Sequence, residues 1–110
     1  MAKIPPQNIE AEKSVLGSLM LDSKSIDVII DILRPNDFYQ TKHKIIYEAM
    51  VDLYQNKEPI DVLSLSSRLK DKKQLDAAGG SSYLTELVNS VPTSSNAKHY
   101  AEIVHKKSVL

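Results

Sequence analysis

The residue spacing predicts an all-α protein, a compact orthogonal bundle of about six helices. Two observations carry that prediction. Apolar residues recur three and four positions apart along most of the chain, the period of one helix face. Capping and stopping residues (Asn, Asp, Ser, Thr, Gly and Pro) fall between those stripes. A coiled coil is excluded, because no heptad stays in register for three turns.

Asn8 is placed to cap a first helix, with Glu10 and Glu12 in its first turn, where the helix dipole favours acids. Val15, Leu16, Leu19 and Met20 form its stripe. A second helix is expected after Asp22-Ser23, with Ile26, Ile29, Ile30 and Leu33 at i, i+3, i+4 and i+7, and Pro35 ends it. Asn36-Asp37 reads as a turn over an aromatic plug of Phe38 and Tyr39. Thr41 is the expected cap of a third, longer helix that buries Ile45, Ile46, Ala49, Met50 and Leu53. Residues 56–59 form a loop. Asp61 then caps a fourth helix carrying Val62, Leu65 and Leu69; residues 60–65 alone also fit a short strand, but the polar continuation over 66–73 keeps a helical character and favours the helix. Gly79-Gly80 turns the chain, and Ser81 or Ser82 is the expected cap of a fifth helix with Tyr83, Leu84, Leu87, Val88 and Val91 on its face. Pro92 stops it. The sixth helix carries Ala97, Tyr100, Ala101 and Val104 on one stripe, with Ile103 and Leu110 on another, and it ends without a Gly or Pro terminator while still offering apolar surface.

Composition narrows the function. Lys plus Arg and Asp plus Glu both number 14, so the net charge is zero, and a dedicated nucleic-acid binder would carry an excess of positive charge. There is no cysteine, hence neither a disulfide nor a thiolate metal site. No apolar run nears the roughly 18 residues a membrane span requires, and no apolar signal segment follows the first residues, so a cytoplasmic location is expected.

A catalytic, metal or cofactor site is not visible. His99 and His105 lie too far around a helix to share a metal, and His43 stands alone at the start of the third helix, so each histidine reads as structural. Asp27 and Asp31 read as solvated helix surface. Gly79-Gly80 lacks the further glycine and the Gly-Lys of a phosphate loop. The would-be recognition helix of a helix-turn-helix, 81–90, contains no lysine or arginine and does contain Glu86, so direct DNA binding is not expected. Gly17, inside a helix, reads as a point of close helix packing. Tyr47 and Tyr54 read as core-edge tyrosines. Tyr83 fits either core packing or an interface anchor, a role tyrosine often fills.

Several of these stretches resemble one family. Pro5-Pro6-Gln7-Asn8-Ile9-Glu10-Ala11-Glu12, then Val15-Leu16-Gly17 and Met20-Leu21-Asp22, are similar to the opening of DnaB-type bacterial replicative helicases. Asp37-Phe38-Tyr39 with His43 and Ile46, Pro59-Ile60-Asp61, Gly79-Gly80 before Tyr83-Leu84, and Asn96 with Tyr100-Ala101 and Ile103-Val104 continue the resemblance in order. It implies a helical head over residues 1–95 and the first part of a dimerisation hairpin over 96–110, cut within its first helix. It implies a collar of six copies arranged as a trimer of dimers, which recruits the primase C-terminal domain and in many bacteria engages a helicase loader. ATP and Mg belong, on this resemblance, to a C-terminal motor outside these residues, and the chain itself has no catalytic residue, cofactor or metal. Glu10 and Tyr83 resemble primase-facing positions, an aromatic anchor beside an acid. Tyr100, Ile103, Val104 and Leu110 are the residues expected to serve hairpin self-association. The reading from a different class is a free-standing helical adaptor; a Walker-type motif or a stop codon downstream of Leu110 separates the two.

Overall fold

The computed structural model describes residues 8–91 and 96–109. Among the described residues six helices follow one another: α1 (Ile9–Leu21), α2 (Ile26–Ile32), α3 (Thr41–Gln55), α4 (Val62–Asp71), α5 (Gly80–Asn89) and α6 (Ala97–Ser108), with 3-10 turns at Ser23–Ser25 and Pro35–Asp37. No strand occurs among the described residues, and 62–65 are helical, as the sequence favoured. The stop at Pro92, the stretch 93–95 and Leu110 lie outside the described residues.

Two caps form as the sequence predicts. Asn8 accepts the Ala11 N–H through Oδ1 at 3.0 Å, and Asp61 accepts the Ser64 N–H at 2.7 Å. Two others do not. Thr41 is already the first residue of α3; Gln40 holds the cap position and its side chain makes no capping bond. The reason lies on α1, whose Glu12 reaches the backbone at this point. Neither Ser81 nor Ser82 caps α5, which begins at Gly80 after Gly79 in the left-handed region at φ 101°. The Ser81 hydroxyl is instead directed to Ser66 of α4, at 3.0 Å.

α1 is the central element, packed most extensively on α6 and α5 and also on α3. Its stripe of Val15, Leu16 and Leu19 is fully buried, against Ile26, Ile29, Leu33, Ile46, Met50, Leu65, Leu69, Leu84 and Leu87. The aromatic plug is half of what the sequence suggests. Phe38 is buried and its ring lies 5.2 Å from that of Tyr47, whereas Tyr39 is 46% exposed. In an extended segment successive side chains point to opposite sides, so both could not enter the core. Tyr47 is itself buried, and its hydroxyl donates to the Leu33 carbonyl at 2.8 Å, which satisfies the one polar group that a buried tyrosine brings inside. Tyr54 is half-buried, and the neighbouring carboxylates of Asp27 and then Asp31 push its phenol above the ordinary value.

Gly17 sits where α1 crosses α5. A Cβ there would overlap the Leu87 carbonyl and the Val91 side chain, so the glycine permits contact of α1 with α5 backbone.

α6 is held to the head at both ends. Ala97, Ala101 and Val104 are buried, Val104 at 2% exposure, and Tyr100 and Ile103 are half-buried against the same core. Residues 97–104 pack their buried stripe on α1 and α2. At the far end, Asp37 accepts the Arg34 N–H, and the same carboxylate meets His105 Nδ1 and the Ser108 hydroxyl, all at 3.0 Å.

Burial pushes the Asp37 carboxyl up, but the Arg34 amide, His105 and Ser108 outweigh it and hold the group below the usual carboxylate range. A carboxylate whose folded pKa is depressed contributes stability above its unfolded pKa, and that contribution is lost as the pH falls through the folded value. Asp37→Asn is therefore expected to lower stability by about 1 kcal/mol at neutral pH. The difference from the parent should shrink as the pH falls below the ordinary aspartate value of 3.8. Thermal melts of both proteins across that range check it; a gap that stays constant into acid would show that the clamp is not electrostatic.

Candidate functional site

The first turns of α1, α3 and α5 meet at one place, and polar side chains from all three are joined there. From α1 comes Glu12, only 2% exposed although it is a carboxylate. Its Oε2 accepts the Tyr39 N–H at 2.6 Å, and its Oε1 accepts the Gln40 N–H at 3.4 Å. Gln40 is the cap position of α3, so Glu12 places its charge at the positive end of that helix and replaces the missing side-chain cap.

His43, in the first turn of α3, is fully buried, with both ring nitrogens partnered. Nδ1 lies 2.7 Å from Glu12 Oε1, and Nε2 lies 2.6 Å from the Tyr83 hydroxyl. A carboxylate only accepts, so Nδ1 carries a proton, and in the neutral ring Nε2 then accepts the Tyr83 O–H. The imidazole and phenol planes are 12° apart with centroids separated by 5.9 Å.

Tyr83 belongs to the first turn of α5 and is half-buried. The Lys42 ammonium stands 3.9 Å from the centroid of its ring, a cation–π contact. Gly79 has no side chain where one would press on Tyr83 Cβ and Cγ. Burial, then the charges of Glu86, Glu12 and Glu10, push the phenol up to about 12. Around this ring the surface carries both signs. Glu10 is exposed on α1, and Lys13 pairs with Glu86 across α1 and α5 at 3.5 Å.

Carboxylate, imidazole and hydroxyl in a row suggest a nucleophile relay, but the electrostatics run the other way. A reactive hydroxyl needs a lowered pKa and access to substrate. The Tyr83 phenol is raised and its oxygen faces inward onto His43. The row is a structural network with an aromatic ring at its outer end. The Gly79 turn is closed by Tyr83, and no group of three His, Asp or Glu side chains is placed to hold a metal among the described residues. No helix among them is long and apolar enough to cross a membrane.

Of the residues singled out from the sequence, Glu10 and Tyr83 are brought into one electrostatic neighbourhood. Tyr100, Ile103 and Val104 lie on α6, within or against the core, and do not join them. Glu12 and His43 are the site members that motif reading passed over. Their signal was present: Glu12 lies on the stripe of Val15, Leu16 and Leu19, and His43 on that of Ile46 and Met50, so each had to be buried.

Comparison with known proteins places the fold. Residues 4–106 match the family described as the DnaB-like helicase N terminal domain. The replicative DNA helicase DnaC of Bacillus subtilis and DnaB of Geobacillus stearothermophilus are each 44% identical over 98% of this chain, which spans 24% of their length. Among solved structures, the N-terminal domain of DnaB helicase from Mycobacterium tuberculosis superposes with a TM-score of 0.93 at 40% identity, covering 96% of this chain and 77% of that one. A DnaB-like replicative helicase, described with its interactions with primase, gives 0.82 at 33% identity, covering 92% of this chain and 24% of the other. With the helical fold and a sequence match over nearly all of the chain in agreement, the chain belongs to the DnaB-like helicase N-terminal domain family.

Proposed function

We propose that this chain is the non-catalytic, partner-binding head of a hexameric replicative DNA helicase, and that it docks the primase C-terminal domain on the surface centred on Tyr83 and Glu10. The observation that carries the reading is the meeting of three helix starts at a fixed aromatic ring with acids beside it, in a fold shared with a helicase whose structure is described with primase. A rigid tyrosine buries much area at little entropic cost, and Glu10 and Glu86 offer partners to basic side chains. On this reading the heads form a collar as a trimer of dimers, a helicase loader is a further partner, and ATP, Mg and DNA unwinding belong to a C-terminal motor. The setting is the bacterial cytoplasm, and the head itself makes no direct DNA contact, consistent with its zero net charge.

Tyr83→Ala is expected to weaken binding of the primase C-terminal domain from the same organism by about tenfold or more, the loss typical of a central aromatic anchor. Helical circular dichroism should stay unchanged. Sedimentation velocity with and without the primase domain reads binding and self-association together. Equal affinity of variant and parent would remove Tyr83 from the site.

A further inference from the structure

We infer that His43 is a positioning residue: held by Glu12 as the Nδ1–H tautomer, it accepts a hydrogen bond from the Tyr83 hydroxyl at Nε2 and thereby fixes the ring for docking. The inference rests on the reading of Tyr83 as a partner anchor and adds to it the device that sets its geometry.

The tyrosine is restrained at each end. At its base the missing Gly79 side chain leaves room for Cβ and Cγ. At its tip the hydroxyl is bound to a buried imidazole at 2.6 Å, and Lys42 rests 3.9 Å from the ring centroid. The imidazole cannot turn, because Nδ1 is bound to Glu12, and Glu12 is itself tied to the Tyr39 and Gln40 amides. Orientation therefore passes from the start of α3 through Glu12 and His43 to a ring on the surface. The raised phenol keeps its proton, so Tyr83 remains the donor in its bond to Nε2. A preorganised anchor avoids the entropy of being ordered on binding, a saving of roughly three- to tenfold in affinity for one side chain.

A double-mutant cycle on primase-domain affinity tests this with His43→Gln, Tyr83→Phe and the pair. Each single variant should weaken binding by about three- to tenfold, and the double should be no weaker than the worse single, since both break one linkage. Additive losses would overturn the inference. Nitrogen NMR of His43 gives a readout independent of primase. The parent should show a neutral imidazole protonated at Nδ1, and Tyr83→Phe should move the Nε2 resonance toward that of an unbonded nitrogen. An unchanged resonance overturns the inference even if His43→Gln does not fold. If Tyr83→Ala binds primase as the parent does while the resonance moves, the docking site is wrong and His43 positions Tyr83 for the fold alone, which removes the docking role inferred for it.

Discussion

Glu12→Ala is expected to lower the stability of this domain by about 3–5 kcal/mol, because each buried donor left without its acceptor costs roughly 1–3 kcal/mol. The substitution takes away a single side chain but leaves three donors without an acceptor: the amides of Tyr39 and Gln40 and the Nδ1–H of His43. His43 is fully buried, so water does not replace what is lost unless the starts of α1 and α3 move apart. Urea unfolding monitored by circular dichroism measures the change, with the slope expected to match the parent. A midpoint within experimental error of the parent would show that this junction is open to solvent.

Gly17→Leu is expected to lower stability by about 3 kcal/mol or more, beyond the usual penalty for overpacking. Most overpacked sites relax by moving side chains. At Gly17 the obstacle includes the backbone of α5 at Leu87, which moves only if the whole helix is displaced. For a domain of about 100 residues the loss corresponds to a fall in Tm of roughly 10 °C or more. Gly17→Ala is the finer test, because alanine gains about 1 kcal/mol of helix propensity over glycine. A net loss despite that gain identifies the clash as the cause, and an unchanged Tm for Gly17→Leu would refute the close crossing of α1 and α5.

Most of the helix order was legible because each stripe is a local signal. Asn8 and Asp61 cap their helices through bonds to amides three residues on, so sequence neighbours settle them. Thr41, Ser81 and Ser82 show where local reading ends. Each is a good capping residue at a reasonable position, yet the start of α3 is served by Glu12 from α1, and Gly79 opens α5. A capping motif is a statement about the nearest donor, and a side chain from another helix can displace the local candidate. Tyr39 failed for a related reason: hydrophobicity suggested burial, but backbone alternation beside Phe38 turned it outward. α6 shows the same limit. Its apolar stripe was visible, but whether that stripe meets a second copy or the head's own α1 depends on how the chain folds back.

The candidate site was legible at its two outer residues and not in its supports. Glu10 and Tyr83 entered through family resemblance, while the pairing of Glu12 with His43, 31 positions apart, and of His43 with Tyr83, 40 positions apart, has no periodicity to reveal it. What the sequence by itself determined is the class of fold, the extent of each helix to within a turn, the buried stripes and the lack of a phosphate loop, because these follow from residues within a few positions of each other. Tertiary structure alone decided which helix starts converge, which acid serves as the cap of α3, and which tyrosine is held rigid. Those outcomes depend on polar groups that are distant along the chain finding partners once water has been excluded, and that condition exists only after the helices have packed.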